Sequence, residues 1–127
     1  MRPNILRQRL QQGAPTLGSH IHTTWPSMVE AIGHTGHYDY VEFVAEYAPF
    51  DLHDLDNLGR AGDLCDLSMM IKVDAEHRAY VAQRAVGSGF HSVLFADVRS
   101  AEEAAECVRC VRADHPDEGG TYGVATR

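Results

Sequence analysis

Four residue types recur at spacings that could do chemistry. His20 and His22 alternate in the segment TLGSHIHT, and side chains two apart on a strand share one face. A His-x-His pair can ligate a metal or move a proton; alternatively one ring packs and the other is solvated. Glu42 and Glu46 stand four apart in YDYVEFVAE and so also share a face, unless a one-residue slip turns Glu42 outward toward a helix. Lys72 lies near the end of LSMMIKV, where it is either an anion-binding cation or the partner of a charge on a neighbouring strand. If the faces converge, two imidazoles, one or two carboxylates and an ammonium meet at one place. Cys107 and Cys110 have the C-x-x-C spacing of a redox or zinc motif. Their surroundings, Ser100 to Arg112, read as a helix, and a zinc site needs two further ligands of which only His115 is near. A buried or half-buried helical pair is the simpler reading.

The elements that must position these groups follow from periodicity and punctuation. Asn4 to Gln12 reads as a short helix capped by Asn4, with Ile5, Leu6 and Leu10 apolar and Gly13 as its stop. A strand through Thr16–Thr23 follows, then a helix capped by Ser27, with Glu30 completing a capping box and Gly33 and Gly36 near its end. Tyr38 to Glu46 is the clearest strand, rich in aromatic and β-branched residues. Asp51 caps a helix from Leu52 to Cys65 that carries Leu55, Leu58 and Ala61. Asp54 and Asp56 fall near its start, where negative charge is favoured. Leu67 to Val73 is a third strand and Glu76 to Val86 a helix, closed by Gly87-Ser88-Gly89. Ser92 to Val98 is a fourth strand, and Ser100 with Glu103 caps the last helix. Asp97 is out of place inside that apolar strand and faces either the strand ends or a neighbour. Trp25 with Pro26 is expected to pack where the chain enters the second helix. His34, His37, His53, His77, His91 and His115 fall on helices and loops and read as surface or capping residues, and Tyr47 as structural.

Regular alternation of strand and helix implies parallel strands with right-handed crossovers. The expected class is therefore α/β: a short N-terminal helix and four βα units in one domain, residues 1–127. An open doubly wound sheet and a barrel segment both fit that pattern. A dinucleotide site is disfavoured, because TTWPS follows the first strand where a glycine-rich turn is required.

Composition narrows the partners. With 44% hydrophobic and 23% charged residues, the chain is an ordinary globular sequence. No apolar run approaches the roughly 18 residues of a membrane span. MRPNILRQRLQQG lacks the apolar stretch of a secretory signal, so a cytoplasmic location is expected. A net charge of −7, with basic residues scattered, argues against a nucleic-acid partner. Three cysteines, an odd number, do not make a disulfide framework.

Four segments together are similar to the HpcH/HpaI aldolase family: Leu17-Gly18-Ser19-His20, YDYVEFVAEYAPFD (Tyr38 to Asp51), Met70-Ile71-Lys72-Val73, and AVGSGFHSVLFADVRSAEEAAECVRCVR (Ala85 to Arg112). The resemblance covers nearly the whole chain and is strongest in the last segment. It implies a TIM-barrel fold of which this chain is the first half. It also implies a carbon–carbon lyase for 2-oxo acids such as pyruvate, assisted by a divalent metal, Mg or Mn. Glu46 and Lys72 stand where the family has its second-strand glutamate and its carboxylate-binding arginine, and His22 or His20, from the converging strand faces, is expected to replace the missing family histidine as base. The expected site is thus His20, His22 and Glu46 as catalytic groups and Lys72 for the substrate carboxylate. In that reading a histidine takes the methyl proton and the metal polarises the carbonyl.

The sequence departs from the family pattern at several points. Tyr47 stands where the family has its proton-transfer histidine, and Lys72 where it has an arginine, which keeps the charge but loses the bidentate fork. His20 replaces an aromatic residue, and Ala96 a proline of the fourth-strand motif. The family's metal-ligating Glu and Asp come from later strands, so no metal ligand is assigned here. GGTYGVATR (Gly119 to Arg127) resembles the turn leading into the second half, and the chain is expected to be a fragment, to self-associate, or to pair with a second half-barrel. The alternative function is a catalytically silent small-molecule-binding or assembly module of the same fold.

Overall fold

A computed structural model describes residues 3–123. Val124 to Arg127, the end of the turn-like segment GGTYGVATR, lie outside the described residues. The order is α1 (Ile5–Gln11), β1 (Gly18–Ile21), α2 (Pro26–His34), β2 (Tyr40–Val44), α3 (Leu52–Leu64), β3 (Ser68–Val73), α4 (Arg78–Gly87), β4 (Ser92–Phe95) and α5 (Ala101–Val111). The strands form one sheet in the order β1-β2-β3-β4, and every neighbouring pair is parallel. The expected α/β class of a helix followed by four βα units is what the chain adopts.

Alternation along the strands divides the sheet into two unlike faces. Ile21, Phe43, Ile71 and Val93 lie in one register row, and the first three of them are buried with Val41, Met69 and Val73 against the helices. Leu55, Leu58 and Ala61 of α3 close the same core. The opposite face carries Gly18, His20, Tyr40, Glu42, Met70, Lys72, Ser92 and Leu94 by register. No helix covers that face at the C-terminal strand ends among the described residues, and these eight residues are half-buried or exposed, while Ser68 and Val44 in the same register rows are buried. Gly18 is required there because a Cβ would fall 2.2 Å from the Tyr40 ring.

At the N-terminal ends of the strands α1 closes the sheet. Asn4 caps it, accepting from Arg7 N at 2.9 Å, and donates to His91 O at 2.8 Å. Ser68 Oγ accepts from Ile5 N at 2.9 Å, and Leu6 is buried. Arg9 meets Asp39 at 2.6 Å, and Asp39 in turn accepts from Leu17 N. Leu10, which the apolar spacing would turn inward, is exposed, because one short helix against a strand end buries only one row.

Several local expectations are corrected. Pro26 opens α2 at its first position, where its fixed φ suits a helix start, so Trp25 rather than Ser27 is the cap residue and no side chain caps it. Glu30 makes no capping box there, and Trp25 is 74% exposed instead of packed. Asp97 lies beyond β4 rather than inside it, with φ +54, a backbone region that Asp tolerates better than most residues. Glu103 accepts from Arg99 N, while Ser100 Oγ accepts from Glu103 N, so the reciprocal bond reaches one residue before the cap. Cys107 and Cys110 are buried on α5, and Arg78 Nη1 lies 3.5 Å from Cys107 Sγ.

Candidate active site

The polar groups gather at the C-terminal ends of the strands, where parallel α/β sheets place their sites. β2 and β3 set the geometry between them. Val44 is the register partner of Lys72, and β2 ends there. The chain then turns through Ala45, Glu46 and Tyr47, with Tyr47 N donating to Val44 O at 3.2 Å. Glu46 N still donates to Lys72 O at 3.2 Å, so the turn folds back over the end of β3 instead of leaving the sheet. This carries the Glu46 side chain onto Lys72.

Lys72 Nζ and Glu46 Oε2 lie 2.5 Å apart, with side chains 24% and 12% exposed. Glu46 Oε2 itself is buried, with the Lys72 ammonium as its close partner. Glu46 raises that ammonium above the ordinary lysine range, first by their side-chain hydrogen bond and also by its charge, with desolvation opposing it and Tyr47 and Glu42 adding to the effect. The same ammonium sits 5.0 Å from the centre of the Tyr47 ring, a cation–π distance.

From Tyr47 the cluster continues to the first strand. The His22 ring lies nearly parallel to that of Tyr47, centroids 6.5 Å apart at 14°. His20 and His22 meet edge-on at 5.6 Å. Glu46, Lys72, Tyr47, His22 and His20 therefore form a continuous run across three strand ends. His22 lies one residue past β1, and Glu46 two past β2, so His22 stands in a loop and Glu46 on a turn rather than on the strands where alternation put them. Glu42 pairs in register with His20 and Met70, on the same face of the sheet as Lys72. The outward alternative for Glu42 is excluded by the buried positions of Val41 and Phe43 on either side of it.

Tyr47 is the residue that sequence reasoning undervalued. It reads as structural, yet it is 66% exposed and sits between Lys72 and His22. Its signal was its place directly after Glu46, at the position where the family pattern has histidine. His91 is a second correction: it is half-buried rather than simply exposed, and its Nδ1 accepts from Met69 N of β3 at 3.3 Å. A separate open cleft of about 400 Å³, lined by Phe50, Leu55, Asp74, His77 and Tyr80 among others, runs between the loops before α3 and α4, and its lining includes none of the mouth residues.

A metal can be tested against these donors. Among the described residues no three His, Cys, Asp or Glu side chains converge as a ligand set. Glu46 is already bound to Lys72. The donors of the described residues do not by themselves fit a divalent ion. Among the described residues no helix is long and apolar enough to cross a membrane.

Comparison with known proteins gives one consistent result. The chain superposes on an HpcH/HpaI aldolase/citrate lyase family protein from Burkholderia cenocepacia with a TM-score of 0.81 and 30% identity, covering 97% of this chain and 49% of that one. It matches an HpcH/HpaI aldolase from Desulfitobacterium hafniense with a TM-score of 0.81 and 24% identity, over 94% of this chain and 45% of that one. A citrate synthase, SbnG, shares the fold with a TM-score of 0.84 and 22% identity, over 96% and 48%. No protein-family model and no curated protein matches the sequence. The chain thus spans about half the length of the solved structures that it matches. It has the architecture of half of a TIM-barrel aldolase.

Proposed function

We propose that this chain supplies the first half of a (β/α)8 carbon–carbon lyase acting on a 2-oxo acid such as pyruvate. One observation carries the reading: Lys72, Glu46, Tyr47, His22 and His20 form one continuous cluster at the C-terminal ends of parallel strands. An ammonium on that mouth suits the carboxylate of an oxo acid. A neighbouring carboxylate or imidazole suits removal of a proton from the carbon beside the carbonyl. The structural similarity to HpcH/HpaI aldolases supports the reaction class. The Mg or Mn ion implied by the family resemblance would need ligands from beyond the described residues, so no step here depends on it.

The same reading has the β1 and β4 edges pairing with a second half-barrel, either further chain or another copy. Parallel edges with unpaired backbone groups invite such addition.

Deuterium exchange into the methyl group of pyruvate, followed by NMR with and without Mg²⁺ or Mn²⁺, tests the chemistry. Exchange by the folded protein, lost on substitution of Lys72 by Met, is the expected result. A folded sample, alone or joined to its second half, that neither binds pyruvate nor exchanges it rejects the reading.

A second reading, a silent binding or assembly module, is favoured by one feature. Tyr47 and Lys72 depart from the family pattern at the two positions nearest the chemistry, and Lys72 is neutralised by Glu46. A ligand that binds only the folded state raises the melting temperature. A shift with Mg²⁺ or Mn²⁺ once the second half is joined favours the enzyme, and none favours the module.

A further inference from the structure

We infer that Glu46 and Lys72 form a latch that substrate displaces: the carboxylate of a 2-oxo acid takes Glu46's place on Lys72, and the released Glu46 carboxylate is the base that removes the C3 proton. This rests on reading the mouth as a 2-oxo acid site and adds to it an order of events and a base.

The geometry argues for exchange of partners rather than simple addition. Lys72 has one positive charge, and Glu46 Oε2 already sits 2.5 Å from it. Glu42 lies on the same face and also acts on the Lys72 charge. A second carboxylate on the same ammonium would bring three anionic groups around one cation, and like charges at such distances repel strongly where water is scarce. Among the described residues the other neighbours offer no second full positive charge: the Tyr47 ring lies on one side of the ammonium, His22 and His20 lie beyond it, and β4 presents Leu94 in register with Lys72. Substrate therefore replaces Glu46.

What happens to Glu46 follows from its burial. Its Oε2 is out of contact with water, and among the described residues Lys72 is its close partner. Once that ammonium turns to the substrate carboxylate, Glu46 Oε2 has a lone pair free to accept a proton from a group placed beside it. The nearest new proton source is the substrate held on Lys72. The C3–H bond breaks, its proton goes to Glu46, and its electron pair forms the C2=C3 bond. The carbonyl π pair moves to oxygen, giving the enolate. In heavy water the proton on Glu46, whose side chain keeps 12% exposure, exchanges for a solvent deuteron, and return of that deuteron to C3 completes the exchange with no oxidant or reductant. While the latch is closed, Lys72 holds this base idle, so proton transfer is coupled to arrival of the correct anion.

The test compares wild type, Glu46→Gln, Glu46→Asp and Lys72→Met for two quantities: pyruvate affinity by calorimetry and the rate of methyl exchange by NMR. Opening the latch in Glu46→Gln is expected to tighten pyruvate binding about five-fold, the scale of a partly exposed ion pair. Loss of the base should slow exchange by a factor on the order of 100 or more. Glu46→Asp, with a shorter reach, should also bind more tightly yet keep part of the exchange. Lys72→Met should lose binding. A residue of merely structural importance would lower both quantities together. Equal or weaker binding by Glu46→Gln and Glu46→Asp overturns the latch, and so does retained exchange in Glu46→Gln, or a wild type that binds pyruvate without exchanging it. In each of those cases the 2-oxo acid site itself stands. Failure of wild type and Glu46→Gln alike to bind pyruvate removes the site and the latch together.

Discussion

A Cβ on Gly59 would lie 1.9 Å from the carbonyl oxygen of Ser88. Helix α3 and the end of α4 are thus in backbone contact, and Asp56 fixes the same crossing through a 2.5 Å bond from Ser88 Oγ. Both helices lie behind β2 and β3, the strands that bring Glu46 to Lys72. The Gly59→Ala variant is expected to lose about 1–3 kcal/mol, the cost of overpacking a close contact. Chemical denaturation measures it, and an unchanged midpoint would show that the helices separate freely.

Ser68 joins the N-terminal helix to the sheet. Among the described residues it is the one buried polar side chain, and its Oγ accepts from Ile5 N at 2.9 Å and Leu6 N at 3.4 Å. The Ser68→Ala variant leaves these first-turn amides without their acceptor, at a cost of about 1–3 kcal/mol. Faster amide hydrogen exchange confined to α1 is the expected signature, and protection equal to wild type would refute it.

His91 predicts a pH effect of defined sign. Burial holds its imidazole below the usual histidine range, with Asp63 partly opposing, and its Nδ1 must be unprotonated to accept from Met69 N. The unfolded chain therefore takes up a proton at this residue at a higher pH than the folded chain does. Stability from this source is complete above about pH 6.5 and falls as the pH drops through the folded-state value. The melting temperature should decrease from about pH 7.5 to about pH 5.5. His91→Asn should flatten that slope, and an equal slope in the variant would assign it to another group.

Tyr47 contributes through its ring. Its face stands 5.0 Å from the Lys72 ammonium, so Tyr47→Leu should weaken pyruvate binding by about two- to five-fold, the scale of an exposed cation–π contact. Tyr47→Phe keeps the ring and should bind as wild type does. Equal binding by the Leu variant would remove the ring from the site.

The sheet edges make a prediction about association. Leu94 on β4 is 42% exposed on the uncovered face. If the β1 and β4 edges pair with another copy, light scattering should find a species heavier than the 14.0 kDa chain. Leu94→Lys, which sets a charge on that edge, should return it to a monomer. A monomeric wild type assigns the edges to another chain or to further sequence.

Local chemistry made much of the fold legible. Asp51 caps α3 and exchanges bonds with Asp54 in a full capping box, because both donors lie within three residues of one another. Asn4 and Ser100 cap their helices for the same reason. Leu55, Leu58 and Ala61 are buried as their spacing requires. Errors arose where a residue's environment comes from elsewhere in the chain. Trp25 and Leu10 are apolar yet exposed, since nothing among the described residues packs over them. His91 lies in a loop, and only its contact with β3 shows that its ring is held there.

By itself the sequence determined the order of helices and strands, their parallel pairing and the half-barrel resemblance, because periodicity, caps and crossover handedness are local or nearly local properties of the chain. It also named His20, His22, Glu46 and Lys72, though only as residue types near strand ends. Tertiary structure alone decided that Glu46 leaves β2, folds over the end of β3 and holds Lys72, and that Tyr47 lies between Lys72 and His22. Those relations join positions 22, 46, 47 and 72. Their distances depend on strand register and on where each strand ends, which only the assembled sheet and its helices set.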